Sequence, residues 1–346
     1  MRLALGPPPP AVRVFSGLAE AHERFLTLSP EGWKTAYQRS PTLLAADTYA
    51  VVLGGSSVHR GSRGVSLEQE FPAIAGQWID RSVANLGAPG LDSHDLVAIT
   101  QELVELPVGE GRPEVIVVYT GHNDFGNARF HARYGSLSAG VGAYIQSALE
   151  GLQLYSQLSR LLRPVRGTAR GGGENSMPIM GEEAWNRVSL HLFKNLARLV
   201  HIAKSAGLRV VLVVPVSDLF SRPSDATCDE TRCPGGRYDL AMGRIAEGDG
   251  PGAAALLREA RDQDRLALRA PTELGEELKA LAQGDPVVSV VDAPTGLPSR
   301  ADAAIVSGEM FVDPIHFSQA GHQALGELVG RRLEVLVAED RPPIRE

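Results

Sequence analysis

Five runs of apolar, largely β-branched residues punctuate the chain: Thr48–Leu53, Ser82–Leu86, Val115–Thr120, Leu208–Val216 and Val287–Asp292. Three of them are near-continuous in Val, Ile and Leu, the pattern of parallel strands buried on both faces. Between the runs the apolar period changes to that of a helix. Ser66 and Gln69 read as a capping box ahead of Phe71, Ile74, Ala75 and Trp78. DSHDLVAITQELVEL opens on an N-cap residue and then repeats apolar residues at helical spacing. In the strongest helix, Trp185, Val188, Leu192, Leu196, Leu199 and Ile202 form one stripe, and Gly207 is its stop. Ser318 is the expected N-cap of the last helix.

Strands alternating with helices predict an α/β fold of three layers, α/β/α, around a central, mostly parallel five-stranded sheet with right-handed crossovers. Residues 1–45 read as an N-terminal extension, and 46–340 as a single domain with insertions at about 125–180 and 220–285. The first insertion carries the helical pattern VGAYIQSALEGLQLYSQLSRLL and the glycine-rich RGTARGGGEN. The second carries two cysteines and the short helical patterns AAALLREARDQD and PTELGEELKALA.

Ligand sites of open α/β sheets gather beyond the carboxyl ends of the strands. Gly54-Gly55-Ser56-Ser57 follows the first run, Gly87-Ala88-Pro89-Gly90 the second and Gly121-His122-Asn123-Asp124 the third. Asp313-Pro314-Ile315-His316 precedes the last helix. A serine hydroxyl needs an adjacent base to act as a nucleophile, and His316 can be that base. Asp313, three residues earlier, can fix the imidazole's tautomer and stabilise its cation. The Ser56 N–H, the Gly90 N–H and the Asn123 amide can meet charge developing on a carbonyl oxygen. The GGSS turn lacks the lysine and the glycine spacing of phosphate-binding loops. It is also not the G-x-S-x-G elbow of α/β-hydrolases.

GGSS, NLGAPG, GHND and DPIH, in that order, resemble the motifs of the SGNH hydrolase family, the GDSL-like esterases and lipases. They span Gly54 to His316. The resemblance implies an SGNH-hydrolase or flavodoxin-like sheet and an ester hydrolase. Ser56 would be the nucleophile, His316 the base and Asp313 its orienting partner. Ser56, Gly90 and Asn123 would form the oxyanion hole. The chain departs from the family's commonest form at Gly55, where aspartate usually stands. An acyltransferase could use the same residues, and a non-catalytic binding module could share the fold. His59, Arg60 and Arg129 are candidate contacts to a polar or anionic substrate group, against the plainer reading of a solvated helix start and loop. His122 is expected to point away as backbone support, and Asp124 to hold the turn.

Composition narrows the partners. The net charge is −7 and no Lys/Arg block occurs, so nucleic acid is not an expected partner. No transmembrane run is present in the sequence. The expected partner is a small-molecule, lipid or carbohydrate ester, with no cofactor and no metal; oligomeric state is left open. MRLALGPPPP does not read as a signal peptide, so the chain as written reads as cytoplasmic, with export open if a leader was removed. Cys228 and Cys233 read equally as a short-loop disulfide and as two free thiols.

Overall fold

The structure, a computed structural model, describes residues 44, 47–55, 58, 65–88, 90–108, 111–128, 180–223, 233–264, 269–300 and 305–339. Ser56, His59, Arg60, Arg129 and Cys228 lie outside the described residues, as do residues 1–43 and 129–179. In chain order the elements are β1 (Ala50–Gly54), α1 (Phe71–Ile79), β2 (Val83–Asn85), α2 (Ser93–Val104), β3 (Val115–Tyr119), α3 (His122–Ala128), α4 (Glu182–Ser205) and β4 (Arg209–Val213). There follow α5 (Pro234–Ala246), α6 (Gly250–Asp262), α7 (Thr272–Ala282), β5 (Val288–Val291), α8 (Ala293–Gly296), β6 (Ser299–Arg300), β7 (Ile305–Val306) and α9 (Gln319–Glu339).

β1 to β5 form one sheet in the order β2-β1-β3-β4-β5, and every pair is parallel. Alternate side chains of a strand point to opposite faces, and both faces here are apolar. Val51, Leu53, Ile116, Val118, Val210 and Leu212 pack under α2, α4 and α7. Ala50, Val52, Val115, Val117, Val211 and Val213 pack under α1 and α9. Burial on both sides is why β1 and β3 read as unbroken apolar runs. The edge strand β2 is half-buried and keeps only three residues of its run.

The expected caps are present, with one displaced. Asp92 accepts from the His94 N–H at 3.2 Å, and Asp95 accepts from the Asp92 N–H at 3.1 Å, closing the box on α2. Ser318 Oγ accepts from the Gly321 N–H at 3.2 Å at the start of α9. Gln69 does accept from the Ser66 N–H at 3.1 Å, but this box caps a single 3-10 turn, Leu67–Gln69. α1 begins later, and its Phe71 N–H donates to His322 Nδ1 of α9 at 3.2 Å. An imidazole 251 residues away thus satisfies one of the helix's orphan donors.

The second insertion differs from its sequence pattern. α7 is a layer helix of the sheet, with Leu274 and Leu278 in the main core. α5 was not foreseen; it stacks on α6 around a small core of Leu219, Ala241, Ala253, Ala254, Leu257 and Ile305. β6 and β7 form a two-residue antiparallel pair that has no periodic signature. Cys233, at the N-terminus of α5, is disulfide-bonded. Among the described residues no helix is long and apolar enough to cross a membrane.

α9 crosses α1 closely. A Cβ on Gly326 would lie 2.6 Å from Ile74 Cβ and 3.0 Å from the Phe71 carbonyl oxygen. Gly326→Ala is therefore expected to lower the unfolding free energy by about 1–3 kcal/mol through overpacking. Alanine's helix propensity, better by about 1 kcal/mol, opposes this only in part. Urea unfolding measures the balance, and a stabilised variant would show slack in the crossing.

Candidate active site

β1 and β3 lie side by side with Gly54 opposite Tyr119 at the last rung, so the turns after both strands leave the sheet at one level. The strand order changes direction between them, and such a switch point leaves a crevice at the carboxyl end. Gly55, Leu91, Tyr119, Thr120, Gly121, His122 and Asn123 line a hollow of about 10 Å³ there. That is about the room of one water oxygen.

The Asn123 amide lies directly on Gly55. A Cβ at position 55 would sit 2.2 Å from Asn123 Nδ2 and 3.0 Å from its Cγ. A side chain at 55 would have to shift the amide, so glycine there suits the present placing of Asn123. Asn123 Nδ2 donates one hydrogen to the Leu91 carbonyl at 2.7 Å. Gly90 has φ +76°, and no atom lies within 4 Å of where its Cβ would be. Backbone conformation, not space, therefore calls for glycine at 90.

Asn127, one turn beyond Asn123 on α3, grips the same loop. Its Nδ2 donates to the Gly90 carbonyl at 2.8 Å and to Asp92 Oδ2 at 3.0 Å. The motif reading missed it, although the i,i+4 spacing of two asparagines after GH was a usable signal. Behind the turn after β1, Asn85 Nδ2 donates to the Val58 carbonyl at 3.1 Å and to Glu70 Oε2 at 2.7 Å. The Gly55 carbonyl accepts from the Val58 N–H at 3.0 Å. Those contacts tie Gly55 to Val58 and Val58 to the edge strand.

His122 is a buried support, as the sequence suggested; Asp124 is buried too, but it holds Ser93 at the start of α2 and not the backbone of its own turn. His122 Nδ1 accepts from the Ala270 N–H at 3.0 Å, so the proton is on Nε2, which donates to the Val216 carbonyl at 3.0 Å. Burial pushes this imidazole down to about 3, against the Val216 hydrogen bond and with help from the nearby His316, Arg261 and Arg269 charges. Asp124 Oδ1 accepts from Ser93 Oγ at 2.5 Å and from the Ser93 N–H at 3.1 Å. Burial, and then the charge of Asp92, push its carboxyl up to about 7 despite those bonds.

Asp313 and His316 stand together on a tight turn before α9. Asp313 Oδ2 meets His316 Nδ1 at 2.6 Å, while Oδ1 accepts the Ile315 and His316 N–H groups at 3.0 and 2.9 Å. Partial burial opposes the Asp313 charge, but His316 and these N–H groups outweigh it and hold the carboxyl below its usual range. A bridge between Phe311 and Phe317 closes the loop, and the Asp218 N–H donates to the Pro314 carbonyl at 2.9 Å.

No protein-family model matches the sequence, and no curated protein matches it. Solved structures are similar to it. A GDSL-like lipase from Bacteroides thetaiotaomicron VPI-5482 is 12% identical, with a TM-score of 0.43 over 91% of this chain and 98% of that one. A variant of an acetyl-xylooligosaccharide esterase from Geobacillus stearmophilus is 13% identical, with a TM-score of 0.41 over 88% of this chain and 99% of that one. A salicylyl-acyltransferase from a tetracycline biosynthetic pathway is 14% identical, with a TM-score of 0.40 over 87% of this chain and 57% of that one. These are likenesses of fold, in a chain whose sheet is five-stranded and parallel between two helical layers.

Asp124 sets a pH test. The folded state keeps its proton up to about pH 7, whereas an unfolded aspartate releases it near about 3.9. Between those values the folded state binds more protons, so this group's contribution to stability falls as pH rises. Asp124→Asn keeps an acceptor for Ser93 and carries no charge. Its stability relative to the parent protein is expected to rise from about pH 4 to about pH 7 and then level off. Urea midpoints across that range measure this, and a constant difference would mean an ionised Asp124 throughout.

Proposed function

We propose that this chain is a serine hydrolase that cleaves esters through an acyl-Ser56 intermediate. The observation that carries the reading is the Asp313–His316 pair, joined at 2.6 Å on a turn that Asp313 also braces through two backbone N–H groups. That pairing holds a proton on Nδ1 and makes Nε2 the basic nitrogen, the tautomer a general base requires. The glycine turn before Ser56 and the Asn123 amide, one above the other at the β1–β3 switch point, support the same reading.

In the proposed acylation, the Ser56 hydroxyl proton passes to His316 Nε2 as Oγ adds to the ester carbonyl carbon. The Ser56 N–H, the Gly90 N–H and the Asn123 amide receive the charge on the carbonyl oxygen. The hollow at Gly55 and Asn123 has about the volume of that oxygen. Collapse of the intermediate breaks the ester C–O bond, and the alcohol leaves with the proton from His316. Water then repeats the sequence against acyl-Ser56 and releases the acid. The substrate class is a small-molecule, lipid or carbohydrate ester. The proposed chemistry draws on side chains and backbone amides alone.

Ser56→Ala is expected to lower kcat for p-nitrophenyl butyrate by about 10³-fold or more while the far-ultraviolet circular dichroism is unchanged. Full turnover in that variant would overturn the assignment. Asp313→Asn is expected to lose about 10²–10⁴-fold in kcat with little change in KM, because the amide disturbs the tautomer. Unchanged kinetics would remove Asp313 from the mechanism. Gly55→Ala tests the oxyanion side. It pushes the Asn123 amide out of place and should cost about 10²–10³-fold in kcat; a Gly55→Ala protein as active as the parent would show that the amide is not needed there.

A further inference from the structure

Two asparagines one turn apart on α3 hold successive carbonyls of a single loop. Asn123 Nδ2 donates to the Leu91 carbonyl at 2.7 Å, and Asn127 Nδ2 donates to the Gly90 carbonyl at 2.8 Å. Asn127 Nδ2 also donates to Asp92 Oδ2 at 3.0 Å. A carbonyl and a carboxylate oxygen accept, so these two partners fix which end of the Asn127 amide faces them. An amide nitrogen carries two hydrogens. Asn127 uses both on the framework. Asn123 uses one, and its second meets no acceptor among the described residues. The two side chains therefore differ in kind: Asn123 can still donate to a substrate oxygen, and Asn127 cannot.

Gly90 needs such a hold. Glycine has more backbone freedom than any other residue. Beyond its chain neighbours no atom lies within 4 Å of where a Cβ would stand, so packing does not restrict that side. Hydrogen bonds place the loop instead. Asn127 takes the Gly90 carbonyl, Asn123 takes the Leu91 carbonyl, and the Leu91 N–H donates to the Ala88 carbonyl at 3.3 Å. The other end of the Asn127 clamp is itself anchored. Asp92 is the N-cap of α2 and accepts from the His94 N–H at 3.2 Å, and the next residue, Ser93, is held by Asp124 of α3. Loop, α2 and α3 thus meet at one amide.

We infer that Asn127 is a positioning residue of the oxyanion side, setting the distance between the Gly90 N–H and the Asn123 amide. The inference rests on the hydrolase reading, in which those two groups receive the charge on the carbonyl oxygen. Without Asn127, the loop is tied to α3 by Asn123 alone, and Gly90 moves relative to the amide it should act beside. That charge develops only in the transition state, so a displaced donor lowers kcat and leaves substrate binding nearly unchanged.

Asn127→Ala and Asn127→Asp test this in the full chain with p-nitrophenyl butyrate, kcat being taken per site titrated with a fluorophosphonate. Asn127→Asp keeps the shape of the side chain and replaces its two donors by a charge facing two oxygens. In Asn127→Ala kcat should fall about 10- to 100-fold with KM unchanged, and in Asn127→Asp at least as far. A trifluoromethyl ketone, whose adduct with Ser56 carries an oxyanion, should be bound more weakly by the same factor. A merely structural role would reduce the number of titrated sites while kcat per site and the inhibition constant stayed at parental values. That result would overturn the inference. The Ser56→Ala variant separates it from the reading on which it rests. With Ser56→Ala inactive, parental kcat and inhibition constant in both Asn127 variants would overturn the positioning role and leave the hydrolase reading standing. Turnover retained by Ser56→Ala would overturn both.

Discussion

The last rung of the β1–β3 ladder, Gly54 beside Tyr119, sets the geometry of everything above it. Two parallel strands that end level must send their turns into the same space. Only side-chain-free backbone on one of them leaves room for a polar group from the other. Here Gly55 cedes that room, and the Asn123 amide fills it. A side chain at 55 would have to shift the amide, whose Nδ2 lies 2.2 Å from where the Cβ would stand. The turn is held from its far side, by the Asn85 side chain on the Val58 carbonyl. The edge strand β2 thus supplies an anchor for the turn.

Beneath this level the protein uses buried polar groups for rigidity. Asp124, His122 and Tyr119 are all nearly inaccessible, and each is aimed at backbone or at a hydroxyl. A charge in such a place would cost several kcal/mol or more, on the order of a lost buried ion pair. Burial accordingly pushes the Asp124 carboxyl up and the His122 imidazole down, so that both favour their neutral forms. Below about pH 7 these neutral groups position backbone through fixed hydrogen bonds with no buried charge to stabilise. Asp313 and His316, the pair the proposed chemistry needs charged or poised, stand nearer the surface, where solvent shares the cost.

What could be read from the sequence follows the physics of each element. β1 and β3 were legible because burial on both faces demands unbroken apolar runs. α4 was legible because its Trp185-to-Leu199 stripe faces one core and its opposite side faces water. α5 was not, since only its Pro234, Gly235 and Ala241 are fully buried, with Tyr238 and Ile245 packed partly on the small core. Asp313 and His316 were legible as a pair because three residues of chain carry the contact. The His322 contact to Phe71 and the Gly55 contact to Asn123 join distant positions, and no local pattern encodes them. The sequence marked Gly55 as a departure; the packed turn shows that the Asn123 amide lies where its side chain would start. Ser56 lies outside the described residues, so its place in the site is a proposal from its neighbours.

The two halves of the candidate site come from different parts of the fold, and one short segment ties them. The oxyanion side belongs to the β1 and β3 turns, while the base belongs to the loop before α9. Tyr119, the last residue of β3, uses its hydroxyl twice on Val216, donating to the carbonyl at 3.3 Å and accepting from the N–H at 3.2 Å. His122, from the turn after β3, adds a third bond, to the same carbonyl. Two residues on, the Asp218 N–H holds the Pro314 carbonyl inside the Asp313–His316 turn. A displacement of Val216 would therefore reach both halves at once. Leaving Val216's buried carbonyl unpaired would cost about 1–3 kcal/mol, which gives the segment a defined resting position. The segment after β4 contributes no side chain to the proposed chemistry, yet it sets the distance across which a base and an oxyanion hole would have to agree.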